Sequence, residues 1–143
     1  LAMALNRPLD EIIKLAGHNG SEILWPNLRE PLCRRGFHVE ELQYVARRLG
    51  FFLVPYVAGV CYRPHHPLAI NGDFKVIDLT AHYTEVMLQQ NGVLVGHYYN
   101  SPNNHAVAWD CTTGSLYDPE GYIVSSPESF RAEAFYAVVP RGS

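Results

Sequence analysis

The chain predicts an α+β domain in which N-terminal helices pack on a C-terminal antiparallel β-sheet. Helical spacing and helix-ending residues crowd the first half. From Asn91 onward the chain instead reads as short strand patterns cut by turn formers. Its 143 residues, 48% apolar and 17% charged, fit one soluble globular domain spanning 1–143 with one hydrophobic core.

The elements follow in order. Leu1 to Asn6 reads as the tail of a helix. Pro8 to Gly17 gives a short helix, with Pro in its first turn, Gly at its end, and Leu9, Ile12, Ile13 and Ala16 on one face. Residues 20–27 are irregular, with Pro26 as a breaker, and Leu28 to Arg35 is expected to form another short helix ending at Gly36. Val39 to Leu49 is a helix with Leu42, Val45, Ala46 and Leu49 on one side and Arg47-Arg48 in its last turn. Gly50 closes it and Phe51 to Tyr56 starts the sheet. Residues 57–73 read as loop or hairpin, Phe74 to Ile77 as a strand, and Thr84 to Gln90 as one or two helical turns. Strands are expected at Val93–Tyr99, Ala106–Asp110, Gly114–Tyr117, Tyr122–Ser125 and Ala134–Val139, with a helical turn over Pro127–Ala132.

Composition excludes several classes of function. A net charge of −3 leaves no basic footprint for nucleic acid, and Arg34-Arg35 and Arg47-Arg48 are isolated pairs. Charged residues or His interrupt every apolar run before the roughly 18 residues a membrane helix needs, so no membrane insertion by this chain is expected. Cys33, Cys61 and Cys111 are widely spaced and form no CxxC, which argues against a disulfide framework or a structural zinc. They read as small buried hydrophobes. Cys33 comes nearest to a nucleophile, with Arg34 and Arg35 lowering its thiol pKa and an expected helix C-terminus opposing them. His65-His66, His82 and His97 show no metal spacing, no phosphate loop is present, and no cofactor is expected. Trp25, Tyr56, Tyr62 and Tyr98-Tyr99 read as core or rim packing before groove lining. The segment Val139 to Ser143 resembles the remnant of a thrombin cleavage tag and is expected to be partly tag-derived.

The densest chemical signal lies at Asn103-Asn104-His105-Ala106-Val107-Ala108-Trp109-Asp110 and Ser115-Leu116-Tyr117-Asp118-Pro119-Glu120-Gly121. If residues 111–114 form a four-residue loop, Asp110 faces Ser115 and Val107 faces Asp118. His105 then shares a face with Asp118 and sits diagonal to it, about 7–8 Å away between backbones and within side-chain reach. A slip of one residue would separate them. Asp110, an odd number of residues from His105 on the same strand, points to the other face. A half-buried strand histidine and an Asp-Pro turn are the bland readings of the two residues. The functional reading is an acid fixing the tautomer of a base.

This histidine strand followed closely by an Asp-Pro strand resembles the papain-like cysteine peptidase superfamily. The likeness is nearest to the bacteriocin-processing peptidases that cut after a double glycine, and to their peptidase-like relatives. It covers nearly all of the chain. Leu1-Ala2-Met3-Ala4-Leu5 is similar to the continuation of the family's nucleophile helix. Gly36 to Leu42 with Ala46 to Gly50 resembles its later helix, and Thr84 to Gly96 its short helix leading into a strand. The departure is that neither the nucleophilic Cys nor the oxyanion-stabilising Gln before it is in this chain.

The resemblance implies a chain truncated before Leu1, with the nucleophile upstream and His105 and Asp118 as catalytic residues acting on a peptide or protein substrate. The chain as it stands is then expected to be inactive. Two alternatives accompany this expectation: a dead peptidase-like module that binds a peptide or protein, and a papain-like toxin or effector domain acting on a host protein. The sequence gives no oligomeric state or compartment.

Overall fold

A computed structural model describes residues 1–57, 60–61, 77–78, 80–101, 103–121, 123–124 and 129–142, several of them by backbone alone. The elements run α1 (Ala2–Leu5), α2 (Leu9–Ala16), α3 (Val39–Arg48), β1 (Phe51–Val57), β2 (Val60–Cys61), β3 (Ile77–Asp78), α4 (Thr80–Gln89), β4 (Gly92–Tyr98), β5 (His105–Asp110), β6 (Ser115–Tyr117), β7 (Ile123–Val124) and β8 (Phe130–Pro140). Six strands form one sheet in the order β1-β8-β4-β5-β6-β7, all neighbours antiparallel, while β2 and β3 pair separately, also antiparallel. The architecture is α+β.

Side-chain alternation along the strands sorts the core into two layers. On β8, Phe135 and Ala137 join Leu94, Val107, Trp109, Leu116, Phe130 and Met87 of α4. Val138 instead joins Leu53 and the apolar sides of α1, α2 and α3 through Leu5, Ile12, Val45 and Ala46. Each large side chain so buried contributes about 1.5–3 kcal/mol. The indole Nε1–H of Trp109 donates to the Met87 carbonyl at 2.7 Å, which pins α4 to β5.

Helices α1 and α2 end as the sequence predicts: Asn6 and Gly17 take left-handed conformations at φ 52° and 83°. Helix α3 buries Val45 and Ala46, with Leu42 and Leu49 packed alongside.

Three expectations fail for physical reasons. Leu28 to Arg35 is a series of turns with a lone bridge from Ile23 to Arg34, not a helix. Pro31 has no N–H to give and disfavours helical backbone at Glu30, while Leu28 and Leu32, half or more exposed, find no surface to cover. Leu9 is exposed, so the buried stripe of α2 runs through Ile12 with Leu15 and Ala16 packed against it. Phe130 to Ala132 belongs to strand β8 and not to a helical turn, because Phe130 is drawn into the core. Helix α4 starts at Thr80, earlier than expected. The expected strand at 74–77 falls largely outside the described residues, as do 122 and 125.

Gly96 shapes the end of the sheet that carries His105. The β4–β8 register shifts between Val95 and Gly96, and Gly96 pairs with His105 on its other side. A Cβ at Gly96 would collide with the Arg131 carbonyl, so only glycine lets β8 approach β4 there.

Candidate active site

Strands β5 and β6 pair with Asp110 opposite Ser115, Trp109 opposite Leu116 and Ala108 opposite Tyr117. Continuing this register places Asp118 across from Val107 and diagonal to His105. The imidazole Nε2 of His105 lies 2.8 Å from Asp118 Oδ2. The structure thus brings together the two residues singled out from the sequence.

Asp118 is 3% exposed and fully partnered. Oδ1 accepts the Glu120 N–H at 2.9 Å, and Oδ2 accepts the Tyr98 hydroxyl at 2.9 Å besides the imidazole. The turn is closed by the Gly121 N–H donating to the Asp118 carbonyl at 2.9 Å. Burial pushes the Asp118 carboxyl pKa up, but the Glu120 N–H, the Tyr98 hydroxyl and His105 together outweigh it and leave the pKa below the ordinary value. The same environment acts on Tyr98 in the opposite sense: burial, then the bond to Asp118, raises its phenol to about 12, so the hydroxyl stays a donor.

An ionised carboxylate only accepts, so His105 Nε2 carries the hydrogen and the neutral ring keeps its lone pair on Nδ1. Among the described residues no hydrogen bond engages Nδ1. The imidazole is 28% exposed and borders two hollows. One, of about 320 Å³, is lined by Pro31, Tyr98, Ser101, Asn104, Asp118 and Glu120 among others. The second, of about 380 Å³ and mostly apolar, lies between the start of α3 and the sheet, against Phe37, Leu42, Leu53, Val93, Val95 and Ala106. This group is an imidazole with a fixed tautomer, partly exposed and backed by a buried anion.

The remaining candidates fall outside the site. Asp110 accepts from the Thr112 N–H at 2.9 Å and the Thr113 hydroxyl at 3.1 Å within its own turn. Cys33 is free and buried in a turn, not at a helix end, and burial followed by Glu30 raises its pKa, outweighing Arg34. Cys111 is free, at the far end of β5 from His105. The side chains of Cys61, Tyr62, His65, His66 and His82 lie outside the described residues. Trp25 and Tyr99 are exposed, and Tyr56 packs against the core. Among the described residues no group of three or more His, Cys, Asp or Glu is arranged to hold a metal, and no helix is long and apolar enough to cross a membrane.

The sequence reading missed the Tyr98 hydroxyl. Its signal, a tyrosine two residues beyond the partner of His105, needs the β4–β5 register, and the long connection between those strands does not announce it. A second missed network ties the 18–41 region together. His18 Nε2 meets Glu41 Oε1 at 2.8 Å and its ring stacks on Phe37 at 4.8 Å, while Glu41 Oε2 accepts the His38 N–H at 2.8 Å. The His38 N–H first, then His18, lower the Glu41 pKa to about 2.

Comparison with protein-family models, with curated proteins and with solved structures gave no match.

Proposed function

We propose that this chain is the larger part of a papain-like thiol hydrolase domain that cleaves a peptide or amide bond. In this reading His105 is the base, Asp118 fixes it, and a cysteine N-terminal to Leu1 is the nucleophile. The observation that carries it is the 2.8 Å contact between His105 Nε2 and a buried, triply hydrogen-bonded Asp118, with no hydrogen bond to Nδ1 among the described residues and the imidazole 28% exposed.

A second observation supports where the thiol would come from. Met3, Ala4 and Asn6 line a hollow with Ala108, Asp110 and Thr112, and Leu1, Ala2, Ala4 and Leu5 all pack on the cluster that contains Leu53 and Val138. From Leu53 the apolar groove runs past Val93, Val95 and Ala106 to His105. Ala106 is exposed although β5 is an interior strand of the sheet. A helical turn preceding Leu1 would cover these side chains and bring its first residues toward the imidazole.

In the reaction, the thiol proton passes to His105 Nδ1 as sulfur attacks the carbonyl carbon. The C–N bond then breaks and the amine leaves with the proton held by His105. Water hydrolyses the thioester through the same base, releasing the acid and restoring the thiol. Asp118 stabilises the imidazolium in each half.

The test uses the protein extended by its native upstream residues and treated with a peptidyl electrophile at neutral pH. One upstream cysteine should be labelled, and His105→Ala should slow labelling by roughly a hundredfold or more. Cys33 and Cys111 should stay unlabelled, and the 143-residue chain should hydrolyse no peptide. An upstream segment without cysteine, or labelling indifferent to His105, contradicts the proposal.

A second reading, a module that holds a peptide without cutting it, is favoured by one observation. The hollow beside His105 offers Ser101, Asn103 and Asn104 as hydrogen-bonding partners, and neither free described cysteine lines it. Peptide binding by an extended chain that contains no thiol would select this reading.

A further inference from the structure

We propose that Tyr98 is a positioning residue of this site: its hydroxyl, donating to Asp118 Oδ2, holds the carboxylate in the orientation that receives the His105 Nε2–H. The consequence for catalysis rests on the hydrolase reading, whereas the positioning itself does not.

Each oxygen of Asp118 is fixed from a different direction. The Glu120 N–H holds Oδ1 at 2.9 Å, and this bond spans only two residues of the same turn. The imidazole at 2.8 Å cannot fix Asp118 and be fixed by it at once. Among the described residues, only the Tyr98 hydroxyl, at 2.9 Å, reaches the carboxylate from an element outside the hairpin. Tyr98 is itself immobilised. It closes β4, its ring meets buried Phe130 edge-on at 5.1 Å, and it lies 5.9 Å from the His105 ring.

Packing alone explains the ring and not the hydroxyl, since phenylalanine would make the same edge contact. Besides Tyr98 itself, the charged or titratable side chains lining the two hollows, among the described residues, are Asp118 and Glu120 beside β6, His105 on β5, His38 at the start of α3 and Tyr136 on β8. No Lys or Arg among the described residues lines either hollow to hold the carboxylate in place of Tyr98.

The test is NMR of the 143-residue chain and its Tyr98→Phe variant. In the variant the Asp118 ¹³Cγ titration midpoint should rise toward the ordinary aspartate value, because one donor to the anion is gone. The His105 Nε2–H should exchange with solvent faster by roughly tenfold or more. An unchanged midpoint with unchanged exchange would assign Tyr98 to packing alone and overturn the proposal. Should the variant lose its folded spectrum, the unmodified chain still decides. The Tyr98 ¹³Cζ resonance should shift with the same midpoint as Asp118 ¹³Cγ, and independence of the two contradicts the hydrogen bond's role. Neither readout involves a thiol. A failure of the hydrolase reading would leave them unchanged, while a failure here would leave His105-dependent labelling to be explained without Tyr98.

Discussion

The hairpin of β5 and β6 has an aspartate at each end, in opposite circumstances. Asp110 satisfies its carboxylate within its own turn, from Thr112 and Thr113, and stays partly exposed. Asp118 is 3% exposed and collects donors from its own turn, from β5 and from β4. Both residues are turn-forming aspartates. The difference is that one is held by what is local and the other by the fold, so only the second can orient a group on a neighbouring strand. Distance along the chain misleads here, since Asp110 is nearer to His105 and touches nothing of it.

The largest effect should come from removing each acid in turn. Asp118→Ala strands the Tyr98 hydroxyl and the Glu120 N–H and should cost about 2–4 kcal/mol, whereas Asp110→Ala should cost about 1 kcal/mol or less, both by urea denaturation. Equal costs would erase the contrast. In the extended protein Asp118→Asn should lower turnover by roughly 10²–10⁴-fold and Asp110→Asn should leave it intact.

Next in size is Gly96→Ala, which forces β4 and β8 apart beside His105. A loss of about 1–3 kcal/mol is expected, with displaced His105 ring resonances. A variant that is fully stable and spectroscopically native would show that the close approach is not required.

The pH response separates the hairpin from the helical layer. Glu41 has its folded pKa depressed from 4.5 to about 2, so its contribution is full above pH 4.5 and lost as pH falls through that window. Glu41→Gln should therefore lower the urea midpoint measured at about pH 5 and narrow its drop between about pH 5 and about pH 3. An unchanged acid slope would dissociate Glu41 from the stability of α3. Asp118, also depressed, acts in the same sense, with stability present above the ordinary carboxylate range and lost on acidification. The smallest effect belongs to the exposed turns after α2: Leu28→Ser and Leu32→Ser should each stay within about 0.5 kcal/mol of wild type.

What was legible in the sequence follows the same division between local and distant causes. Helix α3 could be read because its apolar stripe, last-turn arginines and closing Gly50 are all local signals. The His105–Asp118 pair could be read because a four-residue turn fixes the β5–β6 register, and alternation then fixes the face. The segment 28–35, expected as a short helix ending at Gly36, is a series of turns because the backbone demands of Pro31 decide against helix. Phe130 was misread because its burial depends on Tyr98 and the distant core, which no neighbour in sequence announces. The third partner of Asp118 was hidden for the same reason.

The most direct test is ¹⁵N NMR of the His105 ring at neutral pH. A base poised by Asp118 must carry its proton on Nε2, with a one-bond ¹⁵N–¹H signal protected from solvent and a bare Nδ1. A proton found on Nδ1, or an Nε2–H that exchanges as freely in wild type as in Asp118→Ala, would contradict the pairing on which the proposed chemistry depends.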